Sequence, residues 1–284
     1  MALFNFRCQR ITRKAKVNKY IVMKIQKTIY PSFRLEYRDV LQEISRFNQI
    51  GSLLKDERNV VKVSNIKGIP VVIKYFKRIS FFNRIIYGLF RKSKAQRAYE
   101  NAGFLTNNGI TTPLPVAFVD MLKHGLLQES YFISLYVDCK SSEGLFYLPL
   151  EQSSEALKAF AAFTYKLHKL GVFHADYSPG NVLYANTPEG YDFCLIDNNR
   201  IRFRNYSRKR ALRNLRRINM PLDRYAVFAM EYARLEQSDA MNTAQRLLFY
   251  HQVRKKWVAV RKSIKRQLKC LIGFGRLTNA TVVR

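Results

Sequence analysis

The sequence has few acidic residues, few cysteines and no long hydrophobic run, and each of these absences narrows what the protein can be. Asp and Glu number 20 against 50 Lys and Arg, so the formal net charge is +30 at pH 7. An enzyme of small acidic metabolites would not need so large a basic excess. The charge instead favours a polyanionic partner, which could be a nucleic acid, an anionic membrane surface or a phosphorylated glycolipid.

The four cysteines, Cys8, Cys139, Cys194 and Cys270, are scattered along the chain. None forms a C-x-x-C pair and no histidine lies at metal-ligand spacing, which argues against a zinc site. Because a disulfide framework is also unsupported, a reducing cytosol is the simplest compartment. Cys194 lies in an apolar run and is predicted to be buried.

No apolar run approaches the roughly 18–20 residues that span a bilayer. Residues 1–24 are basic, contain no acid and lack the apolar core of a secretory signal. We predict that they form a basic N-terminal extension, and disorder there is one alternative. Met23 is an alternative start, so the sequence leaves open whether residues 1–22 belong to the native protein.

Two parts of the chain differ in their hydrophobic periodicity. Residues 49–76, 116–120 and 131–137 show short apolar runs between turn signals, and residues 91–102 are rich in helix formers, which predicts an antiparallel meander with one main helix. Residues 151–170 form a predicted helix with Ser153 or Ser154 as N-cap, and the pattern is helical again from residue 207. We therefore predict an α+β fold of two lobes, with an N-lobe over residues 25–138 built on a small antiparallel sheet and a mainly helical C-lobe over residues 139–284.

The stretch from His174 to Asn181 has the pattern H-x-D-x-x-x-x-N, and Asp197 follows sixteen residues later at the end of an apolar run. In phosphotransferases of the protein-kinase type, the first Asp of this pattern accepts the proton of the acceptor hydroxyl. We therefore predict Asp176 as the catalytic base, and Asn181 and Asp197 as ligands of Mg²⁺. An Asx-rich turn is the structural alternative, but the complete spacing favours phosphoryl transfer. His174 is predicted to hold the loop rather than to react.

Upstream residues supply candidates for binding the phosphates of ATP. Lys74 ends a predicted strand, where it could reach the α- and β-phosphates, and Glu100 on the next helix could fix its ammonium group. The chain has no G-x-G-x-x-G loop. In its place, Arg58 between the first two predicted strands could donate to the phosphates, although a plain hairpin turn explains this segment equally well.

Two segments carry charge of one sign only. Residues 200–217 contain nine Lys and Arg and no acid, and no acid follows residue 240. Solvated helix faces usually mix both signs, so these segments predict attraction to an anionic membrane. In the second segment, Val253, Trp257, Val260 and Ile264 share one helix face. We expect no nucleic-acid partner, because the sequence has no recognisable RNA-binding motif.

Several motifs, in this order, resemble the lipopolysaccharide kinase family, which comprises the Kdo and heptose kinases of Gram-negative inner-core assembly. The matching segments are residues 57–59, 72–76, 93–95 with 99–102, 112–115, 174–181 and 195–203, and the last two are the most specific. The resemblance runs from about residue 25 to residue 203. Beyond residue 207 the likeness is only in being helical and basic.

The resemblance implies a bilobal, protein-kinase-like fold. It also implies a phosphotransferase with an alcohol group as acceptor, which uses ATP and Mg²⁺. The acceptor would be a sugar hydroxyl of the anionic lipid A–core precursor, with Kdo preferred over heptose. The enzyme would then be cytoplasmic and peripheral on the inner face of the cytoplasmic membrane. The implied roles agree with those above: Asp176 as base, Asn181 and Asp197 on metal, Lys74 on phosphate and Glu100 as the anchor of Lys74.

Departures from ordinary protein kinases favour a small-molecule or glycolipid acceptor. Ala175 replaces the usual Arg of the loop, Ser178 replaces a phosphate-contacting Lys, and Asn198 and Asn199 follow Asp197 in place of Phe-Gly. An atypical protein kinase and a non-catalytic basic scaffold on a kinase fold stay open as alternatives. The sequence does not determine the oligomeric state.

Overall fold

The computed structural model of the chain describes the backbone of residues 13–16, 22–25, 33, 35–77 and 79–278. Side chains are described for the same residues except 13–16, 22–25, 265 and 268–278. Most of the predicted N-terminal extension therefore lies outside the described residues. Two compact units are present. The first contains the described residues up to Lys140 with 181–187 and 192–201, and the second contains 141–180, 188–191 and the rest of the chain.

The first unit is built on a five-stranded antiparallel sheet with the order β3-β4-β5-β7-β6. The strands described in the first 139 residues are β1 (Arg13–Lys16), β2 (Val22–Ile25), β3 (Ser52–Asp56), β4 (Val60–Ile66), β5 (Ile69–Tyr75), β6 (Pro115–Lys123) and β7 (Leu126–Leu135). Lys67 and Gly68, which join β4 to β5, both have positive φ, as a two-residue hairpin turn of type I′ requires. His124 and Gly125 join β6 to β7 in the same way.

Three helices belong to this unit: α1 (Tyr37–Ser45), α2 (Phe81–Leu89) and α3 (Lys94–Asn107). The predicted main helix corresponds to α3, whose N-cap Ser93 accepts a hydrogen bond from the Gln96 amide at 2.9 Å. Val71 and Ile73 of β5 are fully buried in the sheet core. Since successive strand residues face opposite ways, Lys74 emerges on the face opposite Ile73.

A hairpin of β10 (Val182–Thr187) and β11 (Gly190–Leu195) leads to the predicted metal-binding Asp197. A β8 segment (Lys140–Ser141) precedes it in the chain, and short strands β9 (Val172–His174) and β12 (Ile201–Phe203) flank it in sequence. Cys194, predicted to be buried, is 2% exposed in β11.

The second unit is mainly helical, as predicted for the C-terminal part. Its helices are α4 (Leu150–Lys169), α5 (Arg208–Asn214), α6 (Leu222–Glu236) and α7 (Ala240–Thr278). Phe160 of α4 packs against Phe228 of α6 and stacks on Tyr177, which forms an aromatic core. The predicted N-cap of α4 was wrong: Pro149 occupies that position, and Ser153 lies inside the first turn, where its hydroxyl donates to the Pro149 carbonyl at 3.1 Å.

None of the helices in the described part of the chain is both long enough and apolar enough to cross a membrane.

Candidate active site

Asp197 has the left-handed backbone conformation, with φ of +61°. This conformation is unfavourable for a residue with a side chain, costs on the order of 1–3 kcal/mol and is concentrated at functional sites. Neighbouring hydrogen bonds hold it. The Ile196 amide donates to the Asn181 carbonyl at 3.0 Å, and the Leu195 amide donates to the Thr111 carbonyl at 3.0 Å.

A buried amide network supports the turn after Asp197. The Asn101 side chain on α3 donates to the Asn198 carbonyl at 2.7 Å, and the Asn198 side chain donates to the Thr112 hydroxyl at 2.7 Å. Thr112 in turn donates to the Leu195 carbonyl at 2.8 Å. Asn198, where protein kinases usually have Phe, therefore joins α3 and the 112 segment to the strand that presents Asp197.

The carboxylate of Asp197 forms ion pairs with two cations of the first unit. The Lys74 ammonium forms an ion pair with Oδ1, and Arg200 Nε lies 3.1 Å from Oδ2. Lys74 also lies 5.5 Å from the centroid of the Phe76 ring. The predicted phosphate-binding lysine and the predicted metal-binding carboxylate are thus in direct contact.

Glu100, the predicted anchor of Lys74, is paired with other residues in this structure. Its carboxylate accepts from the Lys92 ammonium at 2.7 Å and from the Gln96 amide at 3.0 Å. Since the Lys74 ammonium pairs with Asp197, the structure does not bring Lys74 and Glu100 together. The anchoring role of Glu100 stays a prediction.

Lys94, at the start of α3, is a cation that the sequence argument gave no role. Its ammonium lies 5.9 Å from the centroid of the same Phe76 ring that Lys74 contacts. Burial lowers the pKa of Lys94, and the positive charges of Arg200, Arg97 and Arg58 lower that pKa further. Lys94 and Arg58 therefore belong to one positive region beside Asp197, although Arg58 itself is exposed in the turn before β4.

The donor set around Asp197 fits Mg²⁺ better than a transition metal. Among the described residues, no cluster of three or more His, Cys, Asp and Glu could hold a metal ion. Mg²⁺ needs only one or two protein oxygens, since water and nucleotide phosphates complete its coordination. Asp197 supplies a carboxylate. Asn181 lies close to it, because the Asn181 carbonyl accepts a hydrogen bond from the amide of Ile196, the residue before Asp197. The side-chain oxygens of Asn198 and Asn199 are buried with no hydrogen-bond partner in the described structure.

In the second unit, Asp176 follows β9 in a loop held by His174. The His174 side chain is buried, and its Nδ1 accepts from the Asp176 amide at 3.2 Å. The Asn214 side chain of α5 donates to the His174 carbonyl at 2.9 Å, and its oxygen lies 3.2 Å from His168 Nε2. His168 Nδ1 is 2.8 Å from the hydroxyl of Tyr232. A chain of hydrogen bonds thus connects α6, α4 and α5 to the Asp176 loop.

The Asp176 carboxylate is partly exposed and forms an ion pair with Arg217. The charges of Arg216 and Arg254 act on Arg217 and on each other, and Arg213 acts on Arg216. These residues form what we call the arginine cluster: Arg213, Arg216, Arg217 and Arg254. Burial lowers the pKa of Arg254, and the charges of Arg217 and Arg216 lower it further, whereas Asp176 raises it. Because Asp176 compensates only part of the charge of the cluster, the cluster keeps a net positive charge that can attract an anion.

Sequence reasoning missed the specific cations Lys94, Arg200 and Arg217. Lys94 lies in a segment that matched the kinase family, and Arg200 and Arg217 lie in the one-sign stretch 200–217. Composition indicated that such residues attract anions, but only the folded chain shows which of them face Asp197 and Asp176.

Comparison with known proteins agrees with this geometry. A sequence model of the lipopolysaccharide kinase (Kdo/WaaP) family matches residues 86–240. A search of curated proteins returned no significant match. Among solved structures, WaaP in complex with acyl carrier protein is similar with a TM-score of 0.57 and 14% identity, over 81% of this chain and 98% of that chain. This likeness confirms the predicted protein-kinase-like fold.

Two protein kinases show weaker similarity. The first is a MAP kinase from Leishmania major, with 16% identity and a TM-score of 0.38 over 74% of this chain and 64% of that one. The second is the PknI kinase domain of Mycobacterium tuberculosis, with 16% identity and a TM-score of 0.39 over 62% and 70% of the two chains.

Proposed function

The chain belongs to the lipopolysaccharide kinase (Kdo/WaaP) family, and we propose that Kdo of the lipid A–core precursor is its preferred acceptor, with heptose as the second choice. As a member of this family, the protein is a phosphotransferase that acts on a sugar hydroxyl. The observation that carries the proposal is the arginine cluster around Asp176. Kdo is a sugar with a carboxylate, and the precursor also bears phosphates. Guanidinium groups bind both anions with paired hydrogen bonds.

In the proposed mechanism, Asp176 accepts the proton of the attacking hydroxyl and orients it toward the γ-phosphate of ATP. Phosphoryl transfer passes through a loose transition state, so positioning and charge neutralisation supply most of the catalysis. The hydrogen-bonded His174 fixes the Asp176 backbone. Arginines of the cluster would hold the acceptor anion, which keeps its hydroxyl beside Asp176.

The nucleotide phosphates would be bound by Lys74 with Lys94, and Arg58 would contribute from the turn before β4. Asn181 and Asp197 would hold Mg²⁺, which supplies positive charge to the β- and γ-phosphates. Binding of the nucleotide and metal would replace the Lys74–Asp197 ion pair, because Lys74 then has phosphate oxygens to contact. Glu100 is proposed to anchor Lys74 in that state.

Transfer of label from γ-labelled ATP to purified glycolipids tests this function. Kdo₂-lipid A and a heptose-extended acceptor are compared, with Asp176→Ala as the control. Label on a glycolipid that is lost in the variant supports the function, and the better acceptor identifies the sugar. If neither acceptor is labelled although Mg-ATP binds, the glycolipid proposal fails and a protein acceptor takes its place.

We also propose that the enzyme is peripheral on the cytoplasmic face of the membrane, with α7 as one contact. Val253, Trp257, Val260 and Ile264 are all exposed along α7, and basic residues surround them. Trp257 is the only tryptophan, so its fluorescence reports directly on this helix. Charge reversal at the exposed residues Lys255, Lys256, Arg261, Lys262 and Arg266 should release the protein from anionic vesicles, and unchanged binding would show that α7 is not the contact.

A further inference from the structure

Helix α2 exposes its apolar side chains. Phe82 is 76% exposed and Phe90, which follows the helix, is 81% exposed. Phe81, Ile86 and Leu89 are exposed as well, and no residue of α2 is buried. Positions 82, 86, 89 and 90 lie on one side of a helix. Together with Phe81, these side chains form what we call the outer face of α2.

Contacts on the opposite side fix this orientation. Gly88 lies so close to the β6–β7 turn that a Cβ at this position would overlap the carbonyl oxygen of Gly125. The Arg97 guanidinium lies 5.9 Å from the centroid of the Tyr87 ring. Arg84 is half-buried, with its Nε shielded from solvent. On this side the helix therefore packs through Gly88 and its half-buried side chains, whereas its exposed apolar side chains face away from the core of the unit.

The segment of the chain that contains α2 carries charge of one sign. Residues 58–99 contain 11 Lys and Arg and no acid. Arg91 is exposed directly after Phe90, and Lys123 is exposed beside the turn that contacts Gly88. Lys92 pairs with Glu100, so its charge is compensated. An exposed aromatic face with basic flanks is the arrangement of helices that lie in a membrane interface.

We propose that the outer face of α2 inserts into the boundary between headgroups and acyl chains of an anionic bilayer. Phe81, Phe82 and Phe90 would enter the apolar layer, while Arg91 and Lys123 would meet the lipid phosphates. The proposal deepens the proposed function, because a membrane-embedded glycolipid would then be presented to an enzyme already seated on its surface. A second copy of the chain fits less well, since two such faces would bring like charges together.

The test uses one tryptophan on α2. In the full chain carrying Trp257→Phe and Phe82→Trp, fluorescence is measured with phosphatidylglycerol–phosphatidylcholine vesicles and with phosphatidylcholine vesicles alone. We expect a blue shift with the anionic vesicles, and quenching by lipids brominated on their acyl chains. A tryptophan that stays water-exposed on vesicles that do sediment the protein would overturn the proposal.

Affinity is then compared between variants by vesicle sedimentation. Phe82→Ser with Phe90→Ser should weaken partitioning by roughly tenfold or more, because two large apolar side chains are removed from the bilayer. The matched control, Leu222→Ser with Met230→Ser, removes two exposed apolar side chains of the second unit and should bind like wild type. Equal binding by the two double variants would contradict insertion of α2. If Phe82→Ser with Phe90→Ser instead abolished self-association of the chain and left vesicle binding unchanged, the outer face would contact a second copy, which would also contradict insertion.

Failure of this proposal can be distinguished from failure of the proposed function. Transfer to a detergent-solubilised acceptor does not need a bilayer, so Phe82→Ser with Phe90→Ser should retain it. In addition, Trp257 in the wild-type chain reports on α7 alone, which separates the two membrane contacts.

Discussion

Arg217 and Asp176 form an ion pair within the second unit although 41 positions separate them in the sequence. Arg217 lies in a 3₁₀ turn (Leu215–Arg217) directly after α5, and the Asn214 side chain of that helix donates to the carbonyl of His174. The same segment thus holds the backbone of the Asp176 loop and neutralises the Asp176 carboxylate. An anionic acceptor would compete for Arg217, which links acceptor binding to release of the base.

Replacement of Arg217 by Ala should lower kcat/KM for the glycolipid by about 10–100-fold, which corresponds to loss of one charged hydrogen bond. Arg217→Lys should restore part of this loss, because lysine keeps the charge but not the paired donors. Arg234→Ala, which breaks an exposed pair with Glu231, is the matched control and should have little effect. Wild-type kcat/KM in Arg217→Ala would remove Arg217 from the acceptor site.

Asp197→Ala should weaken the binding of Mg-ATP more than the binding of ATP without metal. The reason is that the substitution removes the proposed carboxylate ligand but leaves Lys74 free to contact phosphate. Calorimetric titration with and without Mg²⁺ measures both affinities. Asp192→Ala, an exposed position on β11, serves as the control. If Asp197→Ala leaves the affinity for Mg-ATP unchanged, Asp197 is not a metal ligand.

Lys94→Ala should raise KM for ATP by about tenfold, since it removes one cation from the proposed phosphate site. Lys92→Ala is the matched control, because Lys92 lies two residues away and pairs with Glu100. Steady-state kinetics at saturating acceptor compares KM for ATP between the Lys94→Ala and Lys92→Ala variants. Equal effects of both substitutions would mean that general charge, rather than the position of Lys94, controls nucleotide affinity.

Stability should fall as the pH falls from about 6.5 to about 4 because of His168. Burial lowers the pKa of His168 to about 4 in the folded protein, from 6.5 in an exposed histidine. Between these values the unfolded chain binds more protons, so acid favours unfolding by on the order of 3 kcal/mol.

Urea unfolding of wild type and His168→Gln at several pH values checks this expectation. The variant should show a flatter dependence on pH in this range, whereas His124→Gln in an exposed turn should follow wild type. The same slope in wild type and His168→Gln would contradict the assignment.

The sequence predicted those parts of the fold and site that depend on local pattern. Hydrophobic runs located β4 and β5, and a stretch of helix-forming residues located α3. The H-x-D-x-x-x-x-N spacing singled out Asp176, in the loop after β9, and Asn181, at the end of the following 3₁₀ turn. Such features depend on the spacing of residues that are close together in the sequence, so they can be recognised without the folded structure.

Partners over long separations could not be predicted in this way. Lys74 pairs with Asp197, which lies 123 positions away in the sequence. Glu100 pairs instead with Lys92, which precedes α3. Helix α2 was missed for a related reason. A short apolar stretch predicts burial, and only the packing of Gly88 against Gly125 shows that its apolar face points outward.

The role of Asp176 is tested most directly by single-turnover phosphate transfer in Asp176→Asn, which keeps the size of the side chain and removes its basicity. With the enzyme saturated with acceptor and Mg-ATP bound as in wild type, we expect the transfer rate to fall by at least roughly 10²-fold, the usual contribution of a general base. Unchanged thermal unfolding would show that the fold is intact. Transfer at the wild-type rate would contradict the role of Asp176 and, with it, the proposed mechanism.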